Sequence, residues 1–237
     1  MWDWFFLVVL LHVSFSYYFW CYPNLIHNFK KRKNVIYSST RRCISISHRG
    51  GGGEAYENTI SAFRKAINVG TDMLEMDIRS TKDGSLVVVH DENLTRLCGV
   101  DINVSDTNFS QLPKLKRIVP MDSEPNTLVE DTTCSEDERN IPLLSTVLSQ
   151  LPRRIPLHVD VCGKFCCKVT KLLKDSGRLE DYVILGSTEF ILCGECRRDV
   201  YIWVANSRPE FLECEKLRAD GIITDYPKLL NNYWEKM

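Results

Sequence analysis

Residues 73–91 read MLEMDIRSTKDGSLVVVHD, and this stretch decides the fold that we predict for the chain. Two short apolar runs, residues 73–78 and 86–89, are separated by a polar turn and have the length and composition of β-strands. The runs carry ionisable side chains that an apolar strand does not need, namely Glu75 and Asp77 in the first and His90 after the second. In a barrel of parallel strands, catalytic groups gather where the strands end. The stretch therefore predicts strands that deliver reactive groups to one end of a sheet.

The alternation of strand and helix continues outward in both directions. Further strands are predicted at residues 44–47, 157–161, 182–185, 200–205 and 221–224, which makes seven in all. Helices are predicted between them: one is capped by Asn58 and ends at Gly70, and others begin near Pro142, Lys164 and Ser207. Short strands that alternate with helices are typical of an α/β fold with a parallel sheet.

Glu75 and Asp77 form the first candidate site. Side chains two residues apart on a strand point to the same face, so these carboxylates repel each other unless a cation or a shared proton lies between them. Asp160, at the end of another predicted strand, supplies a third oxygen ligand, and an all-oxygen set suits Mg²⁺ or Ca²⁺. The alternative is a structural ion pair of Glu75 and Asp77 with Arg49 or Arg79.

Two histidines that follow predicted strands form the second candidate set. His48 and His90 are candidates for general acid and base, since imidazole titrates near neutral pH. His90 is also a candidate to complete the metal shell. Arg49 is a planar donor suited to a phosphate, and the glycines at 50–53 let backbone N–H groups approach one closely. Alternatively, the glycines form only a flexible turn.

These motifs together resemble the glycerophosphodiester phosphodiesterase family. The matching pieces occur in family order and are His48-Arg49-Gly50, Glu57-Asn58-Thr59, Glu75-x-Asp77, TKDG at 81–84, Val89-His90-Asp91 and TDYP at 224–227. The chain looks most like the membrane-bound animal subgroup, which has lysophospholipase D members.

The resemblance implies a TIM-type (β/α)8 barrel that hydrolyses glycerophosphodiesters or lysophospholipids and releases the head-group alcohol. It implies that Glu75 and Asp77 hold the divalent ion, while Asp160 stands where the family usually has a glutamate. It also implies that His48 and His90 are the catalytic pair and that Arg49 binds the phosphate. Either water or a neighbouring hydroxyl of the substrate is the nucleophile.

Two features depart from the family pattern. Cys162 stands where the family generally has a lysine that supports the phosphate, and residues 187–199 are too few for the helix, strand and helix expected there, since a strand with its crossover needs about 30 residues. We therefore expect a barrel that lacks about one β/α unit, its sixth strand. An open barrel exposes strand edges, which predicts lower stability or pairing with another chain. The alternative function is a catalytically impaired, truncated barrel that serves as a membrane-bound binding or regulatory protein.

The N-terminus is strongly apolar and predicts a transmembrane anchor at residues 1–23. The basic linker at 24–42 favours a cytoplasmic position for the body by the positive-inside rule, and the endoplasmic reticulum or another endomembrane is the expected location. A cleaved signal peptide is the competing interpretation. The phosphodiesterase barrel is expected at residues 43–237, with an insertion or lid at 99–140.

Charge and cysteine content bear on the expected partners and on the state of the thiols. The net charge is −1 and no basic face is interleaved with aromatics, so we expect the lipid-derived substrate and the membrane as partners and no nucleic acid. The ten cysteines are spread through predicted strands and helices and are expected to be reduced thiols. The alternatives are disulfides and a zinc site made of Cys162, Cys166, Cys193 and Cys196.

Overall fold

The structure is a computed structural model and describes residues 43–162, 165–177, 183–187 and 201–236. Its strands are β1 (Ile44–Ser47), β2 (Met73–Ser80), β3 (Leu86–Val88), β4 (Val119–Pro120), β5 (Leu128–Val129), β6 (Leu157–Val161), β7 (Val183–Ser187), β8 (Tyr201–Trp203) and β9 (Gly221–Thr224). Its α-helices are α1 (Ile60–Asn68), α2 (Thr95–Cys98), α3 (Leu144–Gln150), α4 (Cys166–Asp175), α5 (Arg208–Lys216) and α6 (Pro227–Trp234).

Seven of these strands form one sheet in the order β7-β6-β2-β1-β9-β8, with β3 attached to β2. All neighbours along this path are parallel, whereas β3 runs antiparallel to β2 with Ile78 opposite Val88. The expectation that residues 86–89 belong to the parallel set is therefore wrong. A parallel connection needs a crossover of a dozen or more residues, and the TKDG turn is too short to supply one.

The sheet is open within the described residues. Its edge strands are β7 and β8, and no pairing in the described ranges joins them into a closed barrel. Six parallel strands are described instead of the seven that the sequence predicts, because β3 is antiparallel, and the expected loss of one β/α unit stays a prediction. The short segment expected to lack the sixth strand falls mainly on residues 188–200, which lie outside the described part of the chain.

The main apolar core lies on one face of the sheet. Leu74, Met76 and Ile78 of β2 are fully buried and belong to a cluster with Phe63 of α1. Because side chains alternate along a strand, Glu75 and Asp77 point to the opposite face. The helices pack on the face that carries Leu74, Met76 and Ile78. The two carboxylates therefore lie on the face of the sheet opposite these helices.

Residues 99–140 fold mostly without long regular elements. They contain single 3-10 turns at Val104–Asp106, Phe109–Gln111 and Glu136–Glu138 and the antiparallel pair of β4 and β5. Val104, Leu115 and Val119 are buried in one cluster with Val87 and Leu97. This small apolar core anchors the segment next to β3.

The sequence predicts Asn58 as the cap of α1, but the structure assigns this role to Thr59. The Thr59 hydroxyl oxygen accepts a hydrogen bond from the Ala62 N–H at 3.1 Å. Asn58 instead has a φ of 58°, and its side-chain amide donates to Asp77 at 2.8 Å. The shift of one residue leaves Asn58 free to hold a carboxylate of the candidate site.

We expect Thr59→Ala to lower the free energy of unfolding by about 1–2 kcal/mol, because the first turn of α1 loses its side-chain acceptor. Thr59→Ser is the matched control, since it keeps the hydroxyl and should cost less. Urea unfolding followed by circular dichroism measures both changes. Equal losses in the two variants would contradict the capping role.

The predicted anchor at 1–23 and the linker at 24–42 lie outside the described residues. Within the part of the chain that is described, no helix has both the length and the apolar character needed to cross a bilayer. Free thiols are described at Cys43, Cys98, Cys134, Cys162, Cys167 and Cys214. Of the four cysteines in the alternative zinc site, only Cys162 has a described side chain.

Candidate active site

The candidate site forms where the carboxyl ends of β1, β2, β6 and β9 meet. Strand register places Asp77 opposite Asp160. It also places Ser47 opposite Thr224, so His48 and Asp225 follow neighbouring strands. Because these strands are parallel, residues far apart in the sequence reach the same end of the sheet.

Three carboxylates and one thiol gather at the ends of β2 and β6. Asp77, Asp160 and Cys162 each offer a ligand atom, and these atoms lie within 4.8 Å of one another. Burial, followed by repulsion from Asp77, raises the pKa of Glu75 well above its ordinary value. The donor set fits a divalent cation, which neutralises carboxylates that would otherwise repel one another.

Arg49 neutralises part of this negative charge. Its Nε lies 3.4 Å from an Asp77 carboxylate oxygen, and its terminal nitrogens donate to Glu57 and Asp122 at 3.0 Å each. Its backbone N–H donates to Glu75 at 2.7 Å. One guanidinium is thus shared among carboxylates from three separate parts of the chain.

The structural ion pair that was the alternative interpretation of Glu75 and Asp77 is therefore present in part. Arg49 contacts Asp77, whereas Arg79 donates to the carbonyl oxygen of His90 and to the carboxylate of Glu92. Within the described residues, no ion pair involves Asp160. Arg49 supplies one positive charge, and the remaining repulsion among the carboxylates of β2 and β6 is relieved either by a proton on Glu75, whose pKa is raised, or by a cation.

His48 is oriented by Asp225. Its Nδ1 lies 2.7 Å from an Asp225 carboxylate oxygen, and the other oxygen accepts hydrogen bonds from Ser123 and Asn206 at 2.8 and 2.9 Å. Burial alone would raise the pKa of Asp225, but the contacts with His48, Asn206 and Ser123 outweigh it and lower the pKa. An ionised Asp225 favours the tautomer of His48 with the proton on Nδ1 and the lone pair on Nε2.

His90 has the same kind of partner. Its Nδ1 lies 2.9 Å from Asp91, whose carboxylate also accepts two N–H groups of Arg96 at 2.8 Å. These contacts outweigh the effect of burial and lower the pKa of Asp91 to about 2. His90, Asp91 and Asp122 also offer ligand atoms within 4.8 Å of one another. A metal-binding role for His90 therefore stays a prediction beside its role in proton transfer.

Glu57 links the two sides of the site, namely Arg49, which follows His48, and Arg96, which contacts Asp91. Its side chain is buried and accepts a hydrogen bond from Arg49 at 3.0 Å and from Arg96 at 2.7 and 2.8 Å. Arg49 follows β1, while Arg96 belongs to α2. A single carboxylate therefore fixes two guanidinium groups that come from different elements.

Residues 121–123 narrow the opening above His48 and Arg49. A cavity of only about 10 Å³ remains between these three residues and the ends of β1 and β9. This volume holds about one water molecule and is too small for a phosphodiester.

A much larger cavity of about 880 Å³ lies elsewhere, at the opposite end of β1. Its lining includes Cys43, Gly70 and Trp234 and none of the ionisable residues at the strand ends. A choice of the active site by cavity volume alone would thus select a region that lacks the candidate catalytic residues.

Each of the six predicted site residues is connected to another part of the site by a contact, by a shared group of ligand atoms or by a shared cavity. Asp77 and Asp160 share a ligand group, Arg49 contacts Glu75 and Asp77, and Asp122 lies 3.0 Å from Arg49 and 3.7 Å from His90. His48 shares the small cavity with Arg49.

Several residues of the site were not selected from the sequence. The sequence contains an indication that Asp225 and Glu57 are functional, since Asp225 follows a predicted strand and Glu57 lies in a motif that matches the family. Asp122 and Ser123 carried none, because they lie in a segment without regular periodicity.

The model of the glycerophosphoryl diester phosphodiesterase family matches residues 48–162, the stretch that runs from His48 to Cys162. The chain is similar to this family over that stretch, which is nearly half of its length. Human lysophospholipase D GDPD1 is 34% identical over 181 residues, which are 75% of this chain and 53% of that protein. Human lysophospholipase D GDPD3 is 30% identical over 153 residues, which are 65% of this chain and 44% of that protein. The chain thus spans about half the length of the curated relatives it matches.

Solved structures of this family have a similar fold. A glycerophosphodiester phosphodiesterase from Agrobacterium tumefaciens has a TM-score of 0.61 at 21% identity, over 80% of this chain and 99% of that chain. The glycerophosphoryl diester phosphodiesterase domain of a Mycobacterium tuberculosis protein has a TM-score of 0.66 at 16% identity, over 82% of this chain and all of that chain. The likeness places the six parallel strands in a TIM-type α/β architecture.

Proposed function

We propose that this chain hydrolyses the phosphodiester bond of glycerophosphodiesters or lysophospholipids with the help of a divalent cation. The observation that carries the proposal is the matched pair of histidines: His48 and His90 each direct Nδ1 to a carboxylate, and neither Nε2 has a hydrogen-bond partner among the described residues. Phosphodiester hydrolysis needs one group that accepts a proton and another that donates one. The names of the human relatives support this class of substrate.

Glu75, Asp77 and Asp160 are the residues that would hold the cation, which supplies positive charge near the phosphodiester oxygens. Arg49 binds the phosphate with the guanidinium nitrogen that now donates to Asp122. One histidine accepts the proton of the attacking hydroxyl at Nε2, and the other donates a proton to the leaving alkoxide oxygen. The attacking hydroxyl belongs either to water or to the glycerol of the substrate.

The test is release of choline from glycerophosphocholine and from a choline lysophospholipid by the purified full chain. We expect release with Mg²⁺ or Ca²⁺, loss of activity with EDTA, and recovery when the ion is returned. Asp160→Asn should weaken the response to the ion by at least about tenfold. A folded chain that binds these lipids but cleaves neither of them with any divalent ion would favour the alternative, a binding or regulatory protein.

We also propose that residues 1–23 anchor the chain in an endomembrane with the body on the cytoplasmic side. The apolar run and the basic residues at 30–33 support this, and it suits a lipid-derived substrate. Added protease should digest the body of the chain on intact microsomes. A body that is shielded from the protease would contradict the orientation.

Asp122→Ala is expected to lower KM for the phosphodiester by about two- to fivefold, because the carboxylate competes with the phosphate for Arg49. Asp122 is 43% exposed, so this competing contact is weak. Steady-state kinetics measure the change. Glu130→Ala is the matched control, because Glu130 lies in the same insertion and pairs with the exposed Arg117. A raised KM in Asp122→Ala would instead assign Asp122 to substrate or cation binding.

A further inference from the structure

The residue that departs most clearly from the family pattern lies beside the proposed cation site. Cys162 follows the last residue of β6, and its N–H donates to the carbonyl oxygen of Ile78 at 3.1 Å, which extends the parallel ladder. Side chains two residues apart on an extended segment share a face, so Cys162 lies on the same face as Asp160. The Cys162 sulfur lies within 4.8 Å of carboxylate oxygens of both Asp77 and Asp160.

A thiol at this position changes the chemistry of the site in two ways. The resemblance places a lysine here in the family, so Cys162 removes a positive charge next to the carboxylates. It also adds a sulfur ligand, and Cys162 is a free, half-buried thiol that forms no disulfide. Mg²⁺ and Ca²⁺ prefer oxygen ligands, whereas zinc-class ions accept mixed sulfur and oxygen sets.

We infer that Cys162 enters the ligand set with Asp77 and Asp160 and turns the cation site of this chain toward a thiophilic divalent ion of the zinc class. The inference rests on the cation site of the proposed function and goes beyond it by naming the ligand and the ion class. On binding, the thiol proton passes to solvent and the sulfur forms a bond to the ion.

Cobalt is the spectroscopic probe, because a thiolate ligand produces a charge-transfer absorption that oxygen ligands do not. We expect the purified full chain, stripped with EDTA and titrated with Co²⁺, to show this band. Cys162→Ser and Cys162→Lys should abolish it and weaken zinc affinity by at least about tenfold. Cys167→Ser is the matched control, since Cys167 is exposed, and it should keep the band.

A second measurement needs no variant. Zinc should protect Cys162 of the natural chain from alkylation, as read by mass spectrometry, while Mg²⁺ should not, and Cys167 is the internal reference. A band that survives in Cys162→Ser, or alkylation of Cys162 that zinc does not slow, would overturn the inference. Loss of the band in Cys193→Ser but not in Cys162→Ser would also overturn it, in favour of a separate cysteine site.

The same samples separate this inference from the proposed function. Choline release with Mg²⁺ that is equal in the natural chain and in Cys162→Ser, without a cobalt band, would sustain the phosphodiesterase and defeat the sulfur ligand. A cobalt band that depends on Cys162, in a chain that cleaves no phosphodiester, would sustain the ligand and defeat the phosphodiesterase.

Discussion

Replacing His48 with glutamine is expected to lower kcat by about 10²–10⁴-fold, with little change in KM. The side chain is buried and its Nδ1 is held by Asp225 at 2.7 Å, so Nε2 is its only nitrogen available to the substrate. Glutamine can still contact Asp225, but it cannot exchange a proton at neutral pH. Steady-state choline release at saturating cation measures the loss.

Two further variants test the assignment of roles. Asp225→Asn removes the charge that sets the tautomer of His48 and should lower kcat by a smaller factor. His90→Gln should also lower kcat, and each histidine variant should lose a different limb of the pH–rate profile if one residue is the base and the other the acid. A folded His48→Gln variant that keeps more than about a tenth of the activity would remove His48 from the chemistry.

Replacing Glu57 with alanine is expected to lower the free energy of unfolding by about 2–3 kcal/mol, because two guanidinium groups lose their shared buried hydrogen-bond partner. Glu57 is 7% exposed and accepts hydrogen bonds from both Arg49 and Arg96. These arginines keep contacts with Asp122 and Asp91, so the site loosens rather than losing every partner. Chemical denaturation monitored by circular dichroism measures the change.

Glu130→Ala is the matched control for this loss. It also removes a carboxylate from an arginine, but Arg117 is 78% exposed, and an exposed pair contributes less than about 1 kcal/mol. Glu57→Gln should fall between the two, because its amide oxygen still accepts a hydrogen bond while the charge is gone. Losses of similar size in Glu57→Ala and Glu130→Ala would refute the view that Glu57 links the two sides of the site.

The local pattern of residue types in the sequence was sufficient to predict most helices and strands of the fold. Runs of β-branched residues located every strand of the parallel set within a few residues, and the period of apolar residues located α1, α3, α4 and α5. The predicted direction of β3 was wrong, because an apolar run indicates a strand but does not indicate which strand it pairs with. The predicted cap of α1 was wrong by one residue for a related reason. Asn58 donates a hydrogen bond to Asp77 across the site, and local residue preference does not predict that contact.

The sequence by itself determined the resemblance to a family, most of the strand set and the polar residues at the strand ends, because these depend on residue type and short spacing. Only the tertiary structure decided which groups act together. The pairing of His48 with Asp225 spans 177 residues, and the contact of Arg49 with Asp122 spans 73. Asp77, Asp160 and Cys162 meet because the parallel register of β2 and β6 brings their ends side by side. Register and loop packing depend on the whole chain, and no local pattern carries that information.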